Sequence, residues 1–194
     1  MDGVQAKPAA VYQKMLDHVL AITRVGVGCF GAGVAKGALE QALKFASETR
    51  LAGKPMMGHE WVQSMLSEMY KNWMTARMTF VEGNYVNALY TSQNDLAKKS
   101  GFFMNKHMSA FVADKLISPM LDKPVTTRKL RQQYFDDLPA AAQQCAAGMG
   151  SLSKFAATDL GVQNCRMALQ LMGQAGLRHD RGAEKLLRDA KLLQ

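Results

Sequence analysis

The residues that could do chemistry here are few, and most gather near the end of the chain. From Gln170 to Lys191 it reads Q-L-M-G-Q-A-G-L-R-H-D-R-G-A-E-K-L-L-R-D-A-K. An apolar helix runs in and ends at a pair of glycines. A short loop then holds Arg178, His179 and Asp180, and a charged helix closes on Arg188-Asp189-Ala190-Lys191. Glycines at such a junction let a backbone approach a ligand, or make a turn that a side chain would block. The 3 cysteines (Cys29, Cys145, Cys165) and 4 histidines (His18, His59, His107, His179) are scattered, with no C-x-x-C or H-x-x-x-H pair, so no metal site is expected. They read as buried helical cysteines, and an odd, sparse count suits a reducing, cytoplasmic setting.

The formal net charge is +8. A phosphate-rich cofactor or substrate would be served by that excess, and so would nucleic acid. The lysines and arginines are spread along the chain and no nucleic-acid-binding module is visible, so nucleic acid is not expected. No stretch offers the ~20 uninterrupted apolar residues of a membrane helix, so no membrane partner is expected either. Residues 1–10 read as a leader.

Helices must position whatever acts. Prolines number 5, and Ala, Leu, Met, Gln, Lys and Glu dominate. Apolar residues recur at three- and four-residue steps, which predicts an all-α chain. The first helix is expected from Val11 to Leu51. It carries Gly26, Gly28, Gly31, Gly33 and Gly37, a density that admits a close helix or, less expectedly, a flat ligand. Ala52-Gly53-Lys54-Pro55 breaks it. A second helix runs from His59 to Lys98 with Trp61, Met65, Met69, Trp73, Ala76 and Phe80 as a core stripe. Residues 100–148 read as a helical insertion, with helices at 102–117 and 128–135 and a cap at Thr126-Thr127. A third long helix follows from Ala140 to Met172, then the glycine loop and a last short helix. The architecture expected is an antiparallel up-and-down four-helix bundle over 11–194 with that insertion.

Five stretches then fall in the order of one family. They are Arg24 with V-G-V-G-C-F-G-A-G-V-A-K-G-A-L-E, R-L-A-G-K-P from Arg50, M-L-S-E-M from Met65, K-F-A-A-T-D from Lys154, and A-L-Q-L-M-G-Q-A-G followed by L-L-R-D-A-K. Together they resemble the C-terminal helical domain of flavin-dependent acyl-CoA dehydrogenases, over most of the chain outside 100–148. Three positions depart from the pattern: the aromatic of R-x-x-F-G is missing from a segment one residue short, Glu60 stands for a glutamine, and Gln174 replaces the second glycine of a pair.

The resemblance implies FAD as cofactor and an acyl-CoA substrate that is dehydrogenated between its α and β carbons. It places Arg50 at the flavin pyrophosphate, where a guanidinium can chelate two phosphate oxygens. Gln170, Gly173 and Gln174 fall at the adenosine-diphosphate half, and Arg24 near the thioester arm. It further implies a homodimer or homotetramer, in which the domain contributes to a neighbouring subunit's flavin site, and an electron-transferring flavoprotein as acceptor. No catalytic residue is expected within the chain. The family's base falls beyond the position of Gln194, and Thr23 occupies the alternative position. The chain is therefore read as a domain of a longer enzyme, inactive alone. The alternative is a non-catalytic oligomerisation or scaffold module that kept the fold and lost the cofactor.

Overall fold

The seam that sets the architecture is built from residues with almost no side chain. A computed structural model of the chain describes residues 8–90 and 139–194, together with residues 119, 123–125 and 128. Among these are four α-helices: α1 (Pro8–Glu48), α2 (Glu60–Tyr90), α3 (Ala140–Met172) and α4 (Ala183–Leu193). A two-residue ladder, β1 (Arg50–Leu51) against β2 (Lys54–Pro55), turns the chain between α1 and α2. Three short 3-10 turns, Met56–Gly58, Gly173–Leu177 and His179–Arg181, complete the connections. Of the expected insertion, helix 102–117 and the cap at 126–127 lie outside the described residues, as does helix 128–135 apart from Arg128. Residues 140–148 belong to α3.

Packing divides the chain into two units. The larger comprises Thr23–Gly83 and Gly150–Gln194, and in it four helical segments pack up-down-up-down. A Cβ placed on Gly31 would lie 2.7 Å from the carbonyl oxygen of Ala157 and 2.8 Å from the amide nitrogen of Thr158. One placed on Gly28 would lie 2.8 Å from the Ser153 carbonyl, and one on Gly161 would lie 2.9 Å from the Gly31 carbonyl. Positions on α1 and α3 therefore rise together, and the two helices run parallel with their backbones in contact. α2 runs against both, pairing Ala32 with Ala76 and Lys36 with Trp73. α4 returns along α1, with Leu186 over Gly37 and Gly182 beside Gln41.

This resolves the glycine-rich stretch of α1 by face. Gly28 and Gly31 serve helix contact, whereas a Cβ on Gly26 or Gly33 would meet nothing within 4 Å. Where α1 offers Ala38, Ala42 and Ala46 beside Leu39, the volume is filled from the opposite side by Val62, Leu66 and Met69 of α2 and Val162, Cys165, Leu171 and Met172 of α3. Small residues facing large ones is how layers interdigitate at interior packing density.

A polar pair crosses this core. Asn164, fully buried on α3, donates through Nδ2 to the carbonyl of Ala35 (3.1 Å) and to that of Met69 (2.8 Å). Its Oδ1 accepts from Nδ2 of the buried Asn72 (3.1 Å). A single amide thus ties α3 to both α1 and α2, and its two N–H groups and its oxygen are all engaged.

The smaller unit takes in the described residues 8–22, 84–90 and 139–149. Ala21, Val86 and Ala146 are buried there with Met149 against them, and Asn87 Nδ2 donates to the Ala21 carbonyl at 3.1 Å. Partial burial of His18 holds its imidazole below the usual histidine pKa.

Several expectations change. Residues 8–10, read as part of a leader, belong to α1, and Cys29 and Cys145, read as buried, are exposed. α1 ends at Glu48 rather than Leu51, because Thr49 leaves the helix and the hairpin begins at Arg50. Its two-residue turn places Ala52 at φ 49° and Gly53 at φ 81°, the mirror-image turn that matches strand twist. Within α1, Tyr12–Glu48 is also long and apolar enough, by length and composition, to cross a membrane, which the count of uninterrupted apolar residues did not suggest. Valine, leucine, isoleucine and alanine carry that hydropathy, and in the larger unit the buried side of the helix meets α2 and α3.

Candidate functional site

Parallel α1 and α3 bring their C-terminal ends to one end of the larger unit. Arg50 follows α1 there, and Gln170, Gly173 and Gln174 close α3. Arg181, in the loop after α3, reaches Glu48 at the end of α1 across 3.9 Å. The topology therefore gathers Arg50 and Gln170–Gln174, the positions expected from the sequence to meet a flavin's adenosine diphosphate, at one end, although they are more than a hundred residues apart in sequence.

Each side chain owes its place to local chemistry. Arg50 opens the hairpin, and its Nη2 donates to the Gly53 carbonyl at 2.7 Å, leaving the rest of an exposed guanidinium toward solvent. His59 Nε2 lies 3.1 Å from the Leu51 carbonyl oxygen on the other side of the same turn. Gly173 has φ +54°, the left-handed conformation that ends a helix and favours glycine, and nothing crowds it. Its identity is thus explained by backbone alone, with access to its amide as a consequence. Gln170 and Gln174 flank it one helical turn apart, both exposed. Gly176 is the packing glycine of the pair: a Cβ there would meet Met172 Cβ at 3.0 Å and Leu169 Cδ2 at 3.1 Å.

The loop itself is stiffened by charge. Arg178 donates from Nε to Asp180 Oδ1 (3.1 Å) and from Nη2 to Oδ2 (3.0 Å). The Arg178 hydrogen bond holds the exposed Asp180 carboxyl below its ordinary range. Gly182, at φ +73°, then turns the chain into α4. On α4, Ala183, Leu186, Leu187 and Ala190 face inward, while Lys185–Asp189 and Glu184–Arg188 pair outward. In R-D-A-K it is Ala190 that is buried, so the motif's alanine is a packing residue, while Arg188 and Asp189 pair on the surface with Glu184 and Lys185, and Lys191 donates to Gln194 Oε1.

Residues not singled out in the sequence, Gln41 and Lys44 among them, join Asp180 at this end. Gln41, Lys44, Phe45, Met172, Asp180 and Arg181 line a cleft of about 260 Å³. The Oε1 of Gln41 is buried without a hydrogen-bond partner among the described residues, an acceptor open to an incoming donor. Only the spacing of Gln41 and Lys44 near the end of α1 could have flagged them, because Arg181 reaches them through the fold. The cationic and amide donors at this end suit a diphosphate, and the Gln41 oxygen suits an amino group.

Arg24 is elsewhere. It is half-buried on α1, donates from Nη1 to Ser151 Oγ of α3 at 2.9 Å, and lies ~36 Å along the helix from Glu48. The structure does not bring it to the Arg50 group. Thr23, beside it, is exposed.

A sequence model described as the acyl-CoA dehydrogenase C-terminal domain matches residues 14–89 and 127–194. The chain belongs to this acyl-CoA dehydrogenase family. The match covers both helix pairs of the bundle and leaves 90–126 unmatched. Among solved structures, the family fold is seen in a chain from an electron transferring flavoprotein study of Acidaminococcus fermentans, directed to a mechanism of flavin-based electron bifurcation. The two share 20% identity with a TM-score of 0.57 over 90% of this chain, a likeness of fold. This acyl-CoA dehydrogenase domain spans only about a third of that chain's length (32%).

Proposed function

We propose that this chain is the C-terminal helical domain of a flavin-dependent acyl-CoA dehydrogenase and supplies one edge of the FAD site in an oligomeric enzyme. The observation that carries the reading is the family match over α1–α2 and α3–α4 together, with Arg50 and the Gln170–Gln174 turn at one end of the bundle. Arg50 would hold the pyrophosphate, since its guanidinium is exposed and only one N–H is given to Gly53. Gln170 and Gln174 offer amides to the adenosine half, and the left-handed Gly173 leaves its backbone open beside them. Arg24, oriented by Ser151, is assigned to the thioester arm of an acyl-CoA.

When bound, FAD supplies the acceptor for the hydride that leaves the β-carbon. Thr23 carries a hydroxyl where a carboxylate would be needed, so it receives no proton-abstracting role. Self-association as a homodimer or homotetramer, an electron-transferring flavoprotein as acceptor, and a cytoplasmic location complete the proposal. The Acidaminococcus fermentans chain of like fold comes from work on an electron transferring flavoprotein, which supports the choice of acceptor.

Two features favour the alternative of a scaffold module without cofactor: Arg50 is partly occupied by its own two-residue turn, and Gln174 stands at a usual glycine. Calorimetric titration of the chain with FAD and with ADP separates the two readings. Arg50→Ala should weaken binding about tenfold or more, the worth of a charge-assisted hydrogen bond pair. Absence of flavin from the intact gene product, with no acyl-CoA-dependent dye reduction, would refute the enzyme reading.

A further inference from the structure

A second recess lies midway along the larger unit, on the outward side of the α1–α2 contact. Cys29, Ala32 and Gly33 of α1 form its floor, Trp73 and Phe80 of α2 its walls, and Lys36 and Arg77 its charged edge. Its volume is about 460 Å³, within the ~300–1,000 Å³ usual for small-molecule sites. The recess exists because α1 contributes small residues where it faces Trp73 and Phe80. Ala32 packs on Ala76, while Gly33 leaves open space above it.

We propose that this recess binds a flat organic anion of the aromatic carboxylate or sulfonate class. Both ionisable side chains at its edge other than the Cys29 thiol are cations, and no carboxylate lines it. Lys36 Nζ stands 5.9 Å from the centre of the Trp73 ring and 3.3 Å from Glu40, so its charge is partly answered. Arg77 makes no ion pair among the described residues, and its planar fork is suited to two oxygens of one acid group. The indole and the phenyl ring stand two helical turns apart on α2, ~10 Å along the helix, which matches a two- or three-ring body rather than a helix with several anchors. Even the nearest residue of the recess, Lys36, lies ~18 Å along α1 from Glu48, so the proposal does not depend on the flavin assignment.

The test uses the full chain carrying Cys145→Ser. Cys29 is then the exposed thiol, since Cys165 is buried. The probe is 8-anilinonaphthalene-1-sulfonate, compared with the uncharged N-phenyl-1-naphthylamine. The readouts are fluorescence titration and protection of Cys29 from an uncharged disulfide reagent. The sulfonate should bind with one saturable site, slow Cys29 modification, and outcompete its uncharged counterpart. Arg77→Gln should weaken it about tenfold. Gly33→Leu, which fills the recess without touching the charges, should abolish both signals while the melting temperature holds. Equal binding of the two probes would mark an apolar docking face for another protein and overturn the proposal. So would sulfonate binding that leaves Cys29 unprotected, or that both variants retain.

Discussion

Gly31→Ala and Gly26→Ala make the same chemical change on the same helix, five residues apart, and should act with opposite signs. In an exposed helix interior, alanine is favoured over glycine by ~1 kcal/mol. At Gly26 nothing lies within 4 Å of the new methyl, so that gain should appear in full. At Gly31 the methyl would sit 2.7 Å from both the carbonyl carbon and oxygen of Ala157. Ordinary carbon contacts begin near ~3.5 Å, so α1 and α3 would have to part by roughly 0.8 Å. Backbone atoms offer no rotamer through which to yield. Separation loosens every contact along the seam, at a cost of ~1–3 kcal/mol for overpacking and more where two helices must move. Set against the propensity gain, the net loss should be on the order of 1–2 kcal/mol. For a chain of this size that is a fall in Tm of about 2–8 °C, against a rise of about 2–4 °C for Gly26→Ala. Urea titrations followed by circular dichroism would measure both. If the two variants are stabilised alike, α1 and α3 are not in backbone contact and the derived architecture fails.

Three further outcomes follow from the same geometry. Asn164→Ala removes three hydrogen bonds and strands the buried Asn72 amide, so a loss of ~3 kcal/mol or more is expected in urea. The pair Asn164→Leu with Asn72→Leu should cost clearly less than the two single changes summed, because both partners become apolar together. Ala52→Asn places a residue tolerant of left-handed backbone where alanine now sits at φ 49°, and should raise stability by ~0.5–1 kcal/mol, read as a higher Tm. Burial lowers the His18 pKa, so between pH 7 and pH 5 the unfolded chain takes up the proton first; stability should be full above the unfolded value near ~6.5 and decline below it. His18→Gln should flatten that decline in melts across the range; an unchanged slope would discard the burial argument.

Much of this fold was legible in the sequence, and the exceptions have physical causes. The start of α3 could be read to the residue, because Pro139 cannot continue a preceding helix and an alanine run follows it. The end of α1 could not, since alanine gives no hint that Ala52 adopts a left-handed turn. The face of each glycine was legible in principle. Gly28, Gly31, Ala35, Ala38 and Ala42 recur at three- and four-residue steps, as a contact stripe must. The residues of the candidate site divide likewise. Arg50 and Gln170–Gln174 stand within motifs. Gln41 and Lys44 are ordinary helix residues until Arg181 is folded against their end of the bundle. Asn164 had a signal that composition conceals: a polar residue in the contact stripe Ala157-Gly161-Asn164-Ala168.

Cys165 lies in the core shared by α1, α2, α3 and α4, where burial, aided by the negative charge of Asp189, pushes its thiol up to about 12. At neutral pH it therefore holds its proton, and no reagent reaches it while the helices stay together. The chain thus carries its own clock. Cys29 and Cys145 are open to solvent and react at once, whereas Cys165 waits for the bundle to come apart, so its rate of labelling reports how often the native core breathes.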